Sequence, residues 1–293
     1  MPERDGAGTG TSPSAAPGTG ASIGAGGSSV PGRDDAGRAG PAGRTALVTG
    51  AGNGLGRAIT LALAGDGVRV IVVGRRREPL EETAALAAGL GTPCRVAVAD
   101  VADPASVDTL AAELADENVS ILVNNAGVAG PVKPLVEIEP HEWDEVFAAN
   151  VRGVYLMCRA FLPPMVRRRD GDVINLASVS GKRPLALRTP YCASKTAVIG
   201  LTTTLGAEAG PAGVRVNSLS PGPVRGERMR RNFRLEARSL GITEAESERA
   251  FVSRAALGRL VEEDEVGQAV VAMLRMTGLH CADIDLSAGM VGR

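Results

Sequence analysis

The sequence predicts an α/β fold, a doubly wound parallel sheet of about seven strands in a single domain. Three observations point there. From residue 44 onward, short β-rich apolar runs alternate with stretches whose apolar residues recur at helical spacing, as repeated βαβ units require. Apolar residues make up 44 % of the chain but aromatic ones only 2 %, so Ala, Val, Leu and Gly must fill the core. That suits parallel strands buried under helices better than an aromatic-rich sandwich. A glycine cluster also stands between the first strand run and the first helical run.

Thr45–Thr49 is the first strand run, and helical spacing follows over Leu55–Ala64. Val68–Val73 reads as a buried strand, ahead of a charged, Ala/Leu-rich helix over Glu78–Ala88. Arg95–Ala99 is the third strand, and Asp103-Pro104 is a strong helix start for Ala105–Leu114. Ile121–Val123 is the fourth strand, a long helix spans Trp143–Val166, and Val173–Ala177 is the fifth strand. A helix runs from Pro190 to Ala209 and Val214–Leu219 is the sixth strand. Pro221–Arg259 is less regular, with helical pieces, before a last helix over Glu262–Leu274 and a last strand over Ala282–Leu286. No internal repeat at solenoid spacing interrupts this order.

Composition removes several function classes. A formal net charge of −1 gives no basis for a nucleic acid partner. The four cysteines, Cys94, Cys158, Cys192 and Cys281, form no CxxC pair and read as free thiols in a reducing, cytoplasmic compartment. His141 and His280 are the only histidines, so neither a histidine metal site nor a Ser-His-Asp triad is expected, and no metal is assigned. No apolar run reaches bilayer-spanning length, so a soluble protein is expected. Residues 1–43 are rich in Gly, Ala, Ser, Thr and Pro without a hydrophobic signal region, and read as a disordered extension to a catalytic domain over 44–293.

The run Thr49-Gly50-Ala51-Gly52-Asn53-Gly54-Leu55-Gly56 lies where a Rossmann-type sheet binds a pyrophosphate. There a helix N-terminus offers free N–H groups and a positive dipole end, and glycines let the backbone approach the phosphates. At the end of the second strand, where NAD-binding chains keep a carboxylate for the ribose 2′-hydroxyl, the sequence reads Gly74-Arg75-Arg76-Arg77. Arg75 is suited to a 2′-phosphate, so NADP(H) is favoured over NAD(H).

Tyr191 and Lys195 stand four apart at the front of a helix and therefore share one face. An ammonium close to a phenol favours the phenolate, so Tyr191 is suited to act as general acid in reduction or general base in oxidation. Ser178, thirteen residues earlier at a strand end, is suited to hold a substrate carbonyl oxygen.

Together these motifs resemble the short-chain dehydrogenase/reductase family of the non-extended type, over about Arg44–Met290. The family's TGxxxGxG turn is matched by Thr49–Gly56, its NNAG segment by Asn124-Asn125-Ala126-Gly127, and its PG segment by Pro221-Gly222-Pro223-Val224. The resemblance implies an active-site tetrad of Asn150, Ser178, Tyr191 and Lys195, with Asn150 linking Lys195 to solvent through a water. It implies a cofactor surface of Thr49, Gly50, Asn53, Gly54, Leu55, Gly56, Arg75, Asp100, Val101, Asn125, Ala126, Gly127, Tyr191, Lys195, Pro221, Gly222 and Val224. It further implies direct hydride transfer between nicotinamide and a ketone or secondary alcohol, and a homotetramer or homodimer. Two positions depart from the family pattern: Arg225-Gly226 follows the PG-P-V segment in place of a threonine, and Ser287-Ala288-Gly289 replaces Asp-Gly-Gly.

The variable stretch after Pro223 carries Arg225, Arg228, Arg230, Arg231, Arg234 and Arg238, and Arg188 precedes Tyr191 by three residues. These read two ways, as a grip for an anionic small-molecule substrate or acidic carrier protein, or as a solvated helix paired with Glu227, Glu236 and Glu244. Two alternatives stay open beside a small-molecule dehydrogenase. One is a 3-oxoacyl carrier-protein-type ketoreductase. The other is a non-catalytic dinucleotide-binding regulator, against which the intact Ser178, Tyr191 and Lys195 argue.

Overall fold

Every strand is paired in parallel with its neighbours, in the order β3-β2-β1-β4-β5-β6-β7. The structure is a computed structural model and describes residues 40–183 and 185–291, so the expected extension over 1–43 lies outside the described residues up to position 39. The strands are β1 (Thr45–Thr49), β2 (Arg69–Gly74), β3 (Arg95–Val98), β4 (Ile121–Asn124), β5 (Gly171–Leu176), β6 (Val214–Pro221) and β7 (Asp283–Leu286). Between them run α1 (Gly54–Gly65), α2 (Arg77–Ala88), α3 (Pro104–Glu113), α4 (Pro140–Phe147), α5 (Gly153–Arg168), α6 (Thr189–Ala209), α7 (Glu227–Leu240), α8 (Glu244–Val252) and α9 (Glu263–Arg275).

The strands are apolar on both sides because helices cover both sides. On β1, Leu47 faces one layer while Ala46 and Val48 face the other. The first layer is closed by Val107 and Leu110 of α3, Met157 and Phe161 of α5 and Val198 of α6. The second is closed by Ile59 and Leu63 of α1 and Val266 and Val270 of α9. Gly267 lets α9 press onto α1, since a Cβ there would lie 2.7 Å from the Ala58 carbonyl oxygen. With so few aromatics, small residues and close backbones do the work of large side chains.

The expected strand and helix order holds, with two refinements. The long helix over Trp143–Val166 is two helices, α4 and α5, joined by a π-helical turn over Ala148–Arg152. Glu139 and Glu142 form a capping box that starts α4 three residues earlier than the apolar spacing implies. The irregular stretch after Pro221 resolves into α7 and α8.

Strand order reverses between β1 and β4: from β1 the chain builds β2 and β3 to one side and then β4 to β7 to the other. In such sheets the crevice at the carboxyl ends of the two strands is the ligand site. At the opposite ends, Asp172 bridges Arg44 and Arg215 at 2.7 Å each, away from that crevice.

Candidate active site

The end of β1 turns sharply into α1. Gly50 takes φ +66 and Gly54 φ +50, backbone positions that strain any L side chain. A Cβ on Gly56 would stand 2.1 Å from the Gly50 carbonyl oxygen, so the turn is folded onto its own helix. Asn53 precedes α1 but gives it no side-chain cap, which leaves the first-turn N–H groups for an anion. Thr49 ties β1 to the next strand: its Oγ1 accepts from the Asn125 and Ala126 amides, both at 3.0 Å. Asn125 answers by donating Nδ2 to the Thr49 carbonyl at 2.9 Å.

One crossover further along the sheet, Gly74 ends β2 and Arg75 follows it, exposed. Past β3, Asp100 is held by its neighbours, accepting from the Ala102 amide at 2.9 Å while its own amide donates to Ser106 Oγ at 3.0 Å.

Beyond the switch point lie the residues suited to proton transfer. Lys195, 6 % exposed, donates Nζ to the Leu176 carbonyl at 2.6 Å and stands 5.9 Å from the Tyr191 ring centre. The two share a face of α6, as their spacing predicts. Ser178 follows β5 and accepts from the Ser180 amide at 3.1 Å. Asn150 sits in the π-turn and is locked from both ends. Its Oδ1 accepts from the Val128 amide at 2.7 Å, and its Nδ2 donates to the Val128 carbonyl and to Ser194 Oγ, both at 3.0 Å. Ser194 in turn donates to the Tyr191 carbonyl at 2.7 Å. A Cβ on Gly127 would meet Asn150 Oδ1 at 2.8 Å and Lys195 Nζ at 3.8 Å, so these side chains converge on one glycine.

All of this surrounds a cleft of about 780 Å³. Its wall includes Gly50, Asn53, Gly54, Leu55, Gly56, Arg75, Asp100, Val101, Asn125, Ala126, Gly127, Ser178, Tyr191, Lys195, Pro221, Gly222 and Val224. Thr49 and Asn150 are not on the wall; they are 2 % and 1 % exposed and act from behind it.

Two contributors escaped sequence reasoning. Ser194 links Asn150 to Tyr191, and its only signal is a hydroxyl on the buried face of α6. Glu263, at the start of α9, brings a carboxyl oxygen within 3.7 Å of where a Gly54 Cβ would be. Burial pushes its proton affinity above the usual carboxylate range, against the pull of Arg230 and Arg57. No local sequence pattern marks a residue that arrives from so far along the chain.

The departures after Pro223 have structural roles. Arg225 pairs with Glu262 and Glu248, each at 3.0 Å, and its amide donates to the Val261 carbonyl at 2.7 Å. Arg234 pairs with Glu227 at 2.8 Å, and Glu236 accepts from Ser247 at 2.6 Å. Among the described residues no cluster of His, Cys, Asp or Glu could hold a metal, and no helix is long and apolar enough to cross a membrane.

Comparison with known proteins agrees with this geometry. The short chain dehydrogenase family model matches residues 44–237. A sorbitol dehydrogenase of Cereibacter sphaeroides is 41 % identical over 188 residues, covering 63 % of this chain and 72 % of that one. Among solved structures, an NAD+-bound xylitol dehydrogenase superposes with a TM-score of 0.80 at 27 % identity, covering 85 % of this chain and 99 % of its own. An actinorhodin polyketide ketoreductase with NADPH gives a TM-score of 0.80 at 28 % identity, with 84 % and 97 % coverage. This chain belongs to the short chain dehydrogenase family, and is an NAD(P)-dependent oxidoreductase of alcohols and ketones.

Proposed function

We propose an NADP-preferring carbonyl reductase and alcohol dehydrogenase for a small ketone or secondary alcohol, worked by Ser178, Tyr191 and Lys195 and supported by Asn150. The observation that carries it is the pairing of Tyr191 and Lys195 on the cleft wall, next to Ser178 at the end of β5. The dinucleotide, when bound, supplies the hydride donor or acceptor. The glycine turn and uncapped α1 N-terminus fit its phosphates, because no side chain caps the first-turn N–H groups and the turn is folded too closely on itself to admit a Cβ at Gly50 or Gly56.

Ser178 holds the substrate oxygen. Tyr191 gives its phenolic proton to that oxygen in reduction and takes it back in oxidation. Lys195, anchored on the Leu176 carbonyl, keeps a positive charge beside the ring so that the phenolate is tolerated. Asn150 is a positioning residue: its bonds to Val128 and Ser194 hold the second turn of α6 to the segment after β4, and it would support a water path from Lys195 to solvent. A homo-oligomer forms part of the same proposal, with exposed apolar positions on α5 such as Tyr155 as candidates for burial.

The test is NADPH oxidation over ketones, 3-oxoacyl thioesters and keto-sugars, with NADH alongside. Tyr191→Phe is expected to lower kcat by about a hundredfold or more, the usual worth of a positioned proton donor, while cofactor binding persists. Undiminished turnover in that variant overturns the assignment. Preference for NADPH rests on Arg75 standing exposed on the cleft wall with Gly74, not a carboxylate, before it. A charge-assisted contact of this kind is worth about 1.5–3 kcal/mol, or about tenfold in affinity at its lower end. Gly74→Asp with Arg75→Ser should invert that preference; equal or better kcat/KM with NADH in the unmodified protein refutes it.

A further inference from the structure

Immediately before α6 the chain inverts the usual rule for what faces water. Leu187 is 47 % exposed while the next residue, Arg188, is only 8 % exposed. Apolar side chains ordinarily go in and arginine ordinarily stays out. The inversion is built into the backbone, because Leu187 adopts φ +64, a left-handed conformation that strains a non-glycine residue. Two hydrogen bonds fix the turn: the Leu187 carbonyl accepts from the Lys133 amide at 3.0 Å, and the Arg188 carbonyl accepts from the Cys192 amide at 2.9 Å.

The result is that Arg188 forms part of the cleft wall, its guanidinium carbon 5.7 Å from the centre of the Tyr191 ring. The permanently charged guanidinium is thus held inside the cleft, beside the phenol that handles the proton. General charge of the cleft does not explain it. Among the described lining residues the carboxylates Asp100, Glu145, Glu227 and Glu263 nearly balance the cations. What is particular to Arg188 is its position, next to Tyr191 and within reach of a substrate whose oxygen Ser178 and Tyr191 hold.

We infer that Arg188 is a specificity residue that binds an anionic group of the substrate, so that the preferred substrate is a hydroxy or oxo compound bearing a carboxylate or phosphate a few bonds from the reacting carbon. This rests on the function proposed above and narrows its substrate class. A guanidinium offers two parallel N–H donors to either anion, and the ring of Tyr191 beside it holds the fork in place. Neutral polyols still fit the Ser178–Tyr191 pair but bring no negative charge to the guanidinium.

The experiment measures binding in dead-end complexes, where reduced cofactor and alcohol cannot react. With reduced nicotinamide dinucleotide saturating, calorimetric Kd values are taken for sorbitol, D-gluconate and sorbitol 6-phosphate on the wild type, Arg188→Gln and Arg188→Lys. At least one of the two anionic compounds should bind the wild type at least tenfold more tightly than sorbitol. That preference should collapse in Arg188→Gln and return in part in Arg188→Lys. The arm that gains, gluconate or sorbitol 6-phosphate, tells carboxylate from phosphate. Equal affinity for all three in the wild type, no binding of either anion, or a preference unchanged in Arg188→Gln overturns the inference. Thermal unfolding of both variants separates lost binding from lost folding. If Tyr191→Phe abolishes turnover but no anion preference exists, the reaction assignment stands and only this inference falls. If an Arg188-dependent anion preference exists while Tyr191→Phe keeps its turnover, the anion site stands and the reaction assignment falls.

Discussion

The turn from Gly50 to Gly56 and the helix pair α7 and α8 wall the same cleft, yet they hold their shapes by opposite means. The turn is fixed by backbone: left-handed φ angles, a helix start pressed against a carbonyl, and a threonine and an asparagine stitching two strand ends together. Few substitutions are compatible with it. The helix pair is fixed by side chains. Phe233 and Phe251 meet edge to face at 5.8 Å, Ser247 donates to Glu236 at 2.6 Å, and Arg225 grips Glu248 and Glu262 at the base. Around these contacts Leu235, Leu240 and Ile242 remain exposed. A region held by backbone geometry suits a ligand that never changes, and one held by exchangeable side-chain contacts suits a ligand that differs between relatives. The family model covers the first region entirely and stops at residue 237, inside α7.

The largest effect should come from the turn. Gly56→Ala drives a methyl into the Gly50 carbonyl, and relief requires moving the start of α1. We expect a loss of about 3 kcal/mol in stability and a fall of more than tenfold in cofactor affinity, read by thermal unfolding and by fluorescence titration. Retention of both would mean the turn is softer than its geometry implies.

A middle effect is expected at the helix pair. Phe233→Ala removes one half of the aromatic contact between α7 and α8. Because those helices lie outside the main sheet layers, we expect local opening more than global unfolding. Cofactor Kd should stay within about threefold and substrate KM should rise about tenfold, with faster tryptic cleavage in α7. A drop in melting temperature equal to that of Gly56→Ala would erase the distinction between the two regions.

The smallest effect is expected where α8 leads into α9. Arg259 holds the Glu265 carboxyl down to about 2 from its usual 4.5, and Glu265 also caps α9. A carboxylate depressed in the folded state stabilises above its unfolded value and loses that contribution as pH falls. The pair should therefore support α9 fully above about 4.5 and progressively less down to about 2. The exposed setting keeps the gain small. Acid titration followed by circular dichroism should show Glu265→Gln losing less stability over that window than the wild type; identical curves would remove the pair from the account.

Much of the fold was legible because the strands are apolar runs bounded by glycines and charges, and β1 was read to the residue. The cleft residues near the glycine turn were legible for the same reason that the turn is rigid, since backbone demands leave marks as glycine spacing. The break between α4 and α5 was not, because a π-turn has no composition of its own; Ala148, Ala149 and Val151 read as ordinary helix. Ser194, Glu263 and the inward turn of Arg188 were hidden in another way. Each depends on a partner distant in sequence, and a chain of letters carries no record of which carboxylate meets which glycine.

The π-turn that seats Asn150 behaves like a vernier between two scales. Its wider loop shifts the angular phase of α5 against α4, so each helix can satisfy its own packing partners without agreeing with the other. One consequence concerns insertions and deletions. A chain one residue shorter at this place would run as a single regular helix, and would be penalised both where the core residues of α5 rotate off their partners and where Asn150 reaches toward Val128 and Ser194. The irregularity is thus a setting held in place from two directions, by the packing of α5 and by the neighbourhood of Tyr191.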